Sequence, residues 1–175
     1  NNAYCQDNEL SWFDWKLDLG RRDLLGFAQE LIALRRRHPV LHRRQFFHGR
    51  RIHGSEVKDL TWFRPDGKEM TEEDWQTAHT RCLGLRLAGD ALEEVDAGGE
   101  RIVDDTFLVL LNAHHESVAF VLPAHRRGVR WELVLDTRAA GGHPRQRLAR
   151  GGASYALETR SLVLLRMRAL RNRAP

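Results

Sequence analysis

From residue 82 onward, five short apolar runs recur: residues 82–87, 107–111, 118–122, 131–136 and 162–167. Each is rich in leucine or valine, and each is shorter than the roughly ten to twelve residues that a buried helix needs. The glycine pairs Gly98-Gly99, Gly141-Gly142 and Gly151-Gly152 lie between runs and supply turns. Short extended runs, turn signals between them and little helix predict an antiparallel β-sandwich. A further strand is expected over residues 59–63, closed by Arg64-Pro65-Asp66-Gly67, where proline and glycine suit a turn. Thr71-Glu72-Glu73-Asp74-Trp75 then reads as a helix start, with Thr71 as cap and carboxylates in the first turn.

The N-terminal part has a different period. Leu24, Phe27, Ala28, Leu31, Ile32 and Leu34 recur at helical spacing and predict one amphipathic helix over 21–37. Asp23 near its start and Arg35-Arg36-Arg37 in its last turn complement the helix dipole. His38-Pro39 ends it, because proline disfavours a helical residue before it. The expected fold class is therefore mainly β with an N-terminal helix.

Composition narrows the function classes. At 175 residues and 42% apolar the chain has material for one good-sized core. No apolar run approaches the roughly 18–20 residues that span a bilayer, and no targeting segment is visible, so no membrane association is expected. Cys5 and Cys82 lie far apart and form no CxxC, which fits a reducing cytoplasm and argues against a disulfide framework or a zinc site. Residues 31–55 hold no acidic residue, while Arg35-Arg36-Arg37, Arg43-Arg44 and Arg50-Arg51 recur with histidines between them. Such a stripe suits phosphates. With a net charge of only +4 and no nucleic-acid motif, a solvated helix end is the better reading and a nucleic-acid partner is not expected.

Asn1-Asn2-Ala3-Tyr4-Cys5-Gln6-Asp7-Asn8-Glu9 runs directly into Ser11-Trp12-Phe13-Asp14-Trp15. It reads as the interior of a larger protein. Amides and carboxylates beside aromatic rings are what a sugar subsite requires, since sugars offer hydroxyls at the rim and C–H faces to stack on. Taken alone, the stretch is better read as a loop whose tryptophans dock into the core. A search for catalytic groups yields little. Hydrolysis of a glycosidic bond needs two carboxyl groups facing it. Asp7 with Glu9, Glu93 with Glu94 and Asp104 with Asp105 all lie where solvated charge is expected. The adjacent His114 and His115 do not easily aim at one metal. No catalytic residue, metal site or cofactor is expected.

The opening stretch closely resembles a segment of the bacterial glycogen debranching enzymes, the isoamylase-type members of the α-amylase superfamily (glycoside hydrolase family 13). Leu24-Leu25-Gly26-Phe27 through Leu34-Arg35-Arg36-Arg37-His38-Pro39 is similar to the last helix of that family's (β/α)8 barrel. Asp59-Leu60-Thr61-Trp62-Phe63-Arg64-Pro65-Asp66-Gly67, with Met70-Thr71-Glu72-Glu73-Asp74-Trp75, resembles a second family-typical stretch. Phe107-Leu108-Val109-Leu110-Leu111-Asn112-Ala113-His114 and Ser161-Leu162-Val163-Leu164-Leu165 resemble strands of the superfamily's C-terminal β-domain.

The resemblance implies hydrolysis of α-1,6-glucosidic branch linkages in glycogen or limit dextrin by an Asp nucleophile, a Glu acid/base and a supporting Asp. No residue here matches those three motifs, so the chain alone is expected to be inactive. The implied organisation is a barrel remnant over 1–38, a connection over 39–58 and a β-sandwich over 59–170. Asn1, Asn2, Tyr4, Gln6, Asp7 and Asn8 would contact glucosyl units at the mouth of the barrel. The implied partners are α-glucan and, within the molecule, the barrel, whose absence exposes a helix face suited to self-association. Two alternatives come from the residues themselves: a stand-alone carbohydrate-binding β-module using Trp62, Trp75 or Trp131, though core placement is favoured for all three, and a basic nucleic-acid-associated protein.

Overall fold

The computed structural model describes residues 4–51, 57–124, 129–143 and 148–168. Helix α1 spans Leu19–Arg37, starting two residues before the periodic stretch because Asp18 caps it, its Oδ1 accepting the Arg21 N–H at 2.8 Å. At the other end His38 leaves helical geometry and donates its N–H to the Leu34 carbonyl, and a 3-10 turn, Pro39–Leu41, follows. Strand β1 (Leu60–Phe63) leads to a short helix α2 (Glu72–Trp75), whose cap Thr71 and third residue Asp74 bond each other's backbone reciprocally. The remaining strands are β2 (Cys82–Leu87), β3 (Phe107–Asn112), β4 (Val118–Val121), β5 (Arg130–Asp136), β6 (Leu148–Arg150), β7 (Ser154–Leu157) and β8 (Ser161–Arg168).

Six of the strands form one antiparallel sheet in the order β1-β2-β3-β8-β5-β6, and β4 pairs with β7 in a second. All expected strands are present. The sequence reading omitted β6 and β7, which are short and poor in β-branched residues: Leu-Ala-Arg and Ser-Tyr-Ala-Leu carry no signal of their own. Their positions follow from the Gly151-Gly152 turn, after which the chain leaves the large sheet for the small one.

Alternation along each strand sends side chains to both faces of the large sheet. On one face Leu108, Leu110, Trp131, Leu133, Val163 and Leu165 meet Phe120 and Leu157 of the small sheet. Phe120 approaches so closely that a Cβ on Gly84 would lie 2.8 Å from its ring. Trp131 is fully buried here, as its core assignment required, and its indole N–H reaches the Pro123 carbonyl at 3.0 Å. On the other face Phe107, Leu87, Leu135 and Leu164 join Val40, with Phe27, Leu31 and Leu34 of α1 packed at the edge. Each fully buried side chain of this size is worth about 1.5–3 kcal/mol. Helix α1 thus finds cover on the β-domain for part of its apolar face. Leu24 and Ile32, assigned to the same face, instead lie 67% and 59% exposed. No helix among the described residues is long and apolar enough to cross a membrane.

Candidate functional site

The loop before α1 is folded on itself. Gln6 Oε1 accepts from Asn8 Nδ2 at 2.9 Å, Asn8 Oδ1 accepts the Leu10 N–H at 3.0 Å, and Ser11 Oγ donates to the Gln6 carbonyl at 2.7 Å. The indole of Trp12 donates to Asp7 Oδ1 at 2.8 Å, fixing a ring beside a carboxylate. Phe13 and Trp15 meet edge to face at 4.9 Å. Asp14 accepts the Lys16 N–H and pairs with Arg21 at 3.4 Å, which ties the loop to the helix.

The expectation that these tryptophans dock into the core is overturned. Trp12 and Trp15 are 63% and 77% exposed, and Tyr4, Leu10 and Phe13 are exposed too. Among the described residues the loop's hydrogen bonds are local, and its rings are left exposed. Of the candidate contacts, Tyr4, Gln6, Asp7 and Asn8 stand on this exposed loop. Asn1 and Asn2 lie outside the described residues. Chemically the loop presents amide and carboxylate groups held by local hydrogen bonds beside open aromatic faces.

Charged clusters elsewhere tie segments together. Asp104, expected to be solvated, is only 8% exposed: its Oδ1 takes His38 Nδ1 at 2.8 Å and its Oδ2 the Val40 N–H at 3.0 Å. This pins the end of α1 to the β-domain, a role that a reading of neighbouring acids as surface pairs had no means of finding. Arg43, from the basic stripe, is likewise buried rather than solvated, set between Asp59 at 3.6 Å and Glu94 at 3.9 Å and stacked over Phe47. Arg64 is bonded by Asp66 at 2.6 Å and Asp74 at 3.2 Å. Those bonds, Asp66 first, hold the guanidinium well above its ordinary pKa.

Among the described residues two groups bring potential metal-ligating atoms within 4.8 Å of one another, His38-Asp104-Asp105 and His114-His115-Glu116. In the first, Asp104 already accepts three hydrogen bonds and Asp105 pairs with Arg166. In the second, the adjacent rings stack at 4.3 Å, closer in direction than their sequence order suggested. His114 Nδ1 there accepts the Glu116 N–H at 3.1 Å, so coordination at that nitrogen costs an existing bond. The first group is used by the fold, and in the second His114 Nδ1 is.

A family model described as "Isoamylase, C-terminal" matches residues 59–166, the whole stretch from β1 into β8. The chain belongs to this family. The isoamylase C-terminal domain is thus the two-sheet body described above, and α1 with its loop lies before it. A Mycobacterium tuberculosis protein named "Glycogen operon protein GlgX homolog" is 44% identical over 167 residues, 95% of this chain and 23% of that protein. "Glycogen debranching enzyme" of Escherichia fergusonii is 32% identical over 123 residues, 70% of this chain and 15% of its own length. "Isoamylase" of Pseudomonas amyloderamosa is 28% identical over 137 residues, 78% and 16% respectively. The chain spans less than a quarter of the length of these curated relatives.

Proposed function

We propose that this chain is the C-terminal portion of a glycogen debranching enzyme that hydrolyses α-1,6-glucosidic branch linkages of glycogen or limit dextrin. The observation that carries the proposal is the extent of similarity: the 44% identity to the mycobacterial relative covers 95% of the chain, so it includes the exposed loop or α1 as well as the β-domain. On this reading residues 1–38 complete a catalytic barrel, 39–58 connect it, and 59–170 form the β-domain. Hydrolysis belongs to carboxyl groups of the barrel. The exposed loop binds: Asn1, Asn2, Tyr4, Gln6, Asp7 and Asn8 contact glucosyl units, with Trp12 holding the Asp7 carboxylate in place.

The intramolecular partner is the barrel, which covers Leu24 and Ile32; without it those side chains favour self-association. The unpaired thiols of Cys5 and Cys82 support a cytoplasmic setting. The test is an exchange. The Escherichia fergusonii enzyme with its 123 matching residues replaced by the aligned stretch of this chain is assayed for reducing-end release from glycogen limit dextrin. Release by the chimera, with none by this chain alone, is the expected result. A folded chimera without activity, or release by the chain alone, refutes the assignment.

A further inference from the structure

A groove of about 330 Å³ opens between the segment that follows α2 and the turn joining β3 to β4. That size is at the low end of small-molecule sites, which run to about 1,000 Å³. Met70 and Val118 give it apolar walls, and Arg64, His79, Arg81 and His114 bring nitrogen donors to it. Two of these donors are fixed before any ligand arrives. Arg64 is clamped by Asp66 and Asp74, and Asp74 is itself locked by its reciprocal bonds with Thr71. His114 accepts the Glu116 N–H at Nδ1, which leaves Nε2 as the ring nitrogen that donates. The side chains of His79 and Arg81 make no hydrogen bond or ion pair with any described residue.

The carboxylates of Asp74 and Glu116 share the lining with these donors. Acceptors therefore face the groove as well as donors, a mixture that suits a neutral polyhydroxyl compound and disfavours a phosphate. One residue along from Asp74, Trp75 stands edge-on to Trp62 at 5.4 Å and keeps 46% of its surface open. Both indoles stand outside the lining of the groove. Neither ring is buried as the sequence favoured, since Trp62 is only partly covered.

We propose that this groove holds a short run of α-linked glucosyl units, with His79 and Arg81 as the side chains that close on it. The ligand class rests on the debranching reading. A branched polymer presents many chain ends to one protein molecule, and a second point of attachment raises the effective concentration of the rest of the polymer at the first. The groove shares no residue with the loop before α1.

The experiment uses the chain itself: its retardation by glycogen in native gels, and isothermal titration with maltoheptaose. The expected result is binding that persists at high salt and weakens about tenfold in H79A/R81A, as the loss of two hydrogen-bonding side chains implies. Both positions are exposed, and the variant should melt at the same temperature as the parent. No retardation, equal affinity in H79A/R81A, loss through W12A instead, or displacement by inorganic phosphate each overturns the proposal. The two readings fail separately. An active chimera with no glycogen retention by the chain removes the groove and keeps debranching. An inactive chimera with H79A/R81A-sensitive retention does the reverse.

Discussion

Asn112, at the end of β3, holds two other stretches of chain at once. Its Nδ2 donates to the carbonyls of Glu116 at 2.9 Å, Glu158 at 2.9 Å and Leu157 at 3.2 Å, and its Oδ1 accepts the His114 N–H at 2.8 Å. The residue is 3% exposed, so water cannot replace these bonds. Asparagine to aspartate keeps the shape and removes the donors, leaving a carboxylate against carbonyl oxygens. N112D is expected to lower the unfolding free energy by about 3 kcal/mol in urea titrations. The sequence showed only an asparagine ending a strand; its importance arises from the register that sets it opposite Ser161. A second prediction concerns the thiols. Burial pushes the Cys82 thiol up to about 11, whereas Cys5 is exposed. At mildly alkaline pH a disulfide reagent should label Cys5 at once and Cys82 only after denaturant is added. Fast labelling of both would show that the sheet end at Cys82 opens readily.

Where β5 meets β8, Glu132 stands opposite Arg166 in the ladder and bonds Arg166 at 2.9 Å and Arg168 at 2.7 Å. Burial alone would raise its pKa, but the two arginines outweigh it and hold the carboxyl below its ordinary value of 4.5. A depressed folded-state pKa means that the unfolded chain takes up the proton first as the pH falls. The stabilisation is therefore complete above about pH 4.5 and drains away below it, through the folded-state value. E132Q should lower the melting temperature mainly above about pH 4.5, where this stabilisation is present, and change it least at acid pH, so that the acid limb becomes shallower; an unchanged acid limb would assign that dependence to other carboxylates. At this scale the sequence was most readable. Runs long enough to alternate or repeat declared themselves, as β2, β3, β5, β8 and α1 did. Strands β6 and β7 did not, because three or four residues take their conformation from the neighbours they pair with. The loop before α1 was misjudged as packing. Residue types suggest what tryptophans prefer, whereas their exposure depends on whether an apolar surface lies within reach.

For the molecule as a whole, the uncovered side of α1 sets behaviour in solution. Leu24, Leu25 and Ile32 lie open on the helix, and Leu19 with Trp12, Phe13 and Trp15 extends the apolar surface toward the N-terminus. Sedimentation of the isolated chain should show association that grows with concentration, and L24S/I32S should reduce it. A monomer at all concentrations would mean that this surface tolerates water. The sheet order carries one more consequence, for how the domain comes into being. Its two most central strands are β3 and β8, and β8 alone links the β1-β2-β3 side to the β5-β6 side. Among the described residues β8 is the last strand of the large sheet in chain order, so a ribosome makes this keystone after the other five strands of that sheet. Until then the large sheet is two separate ribbons with open edges. The interval between making β3 and making β8 is when it most needs protection from joining the wrong neighbour.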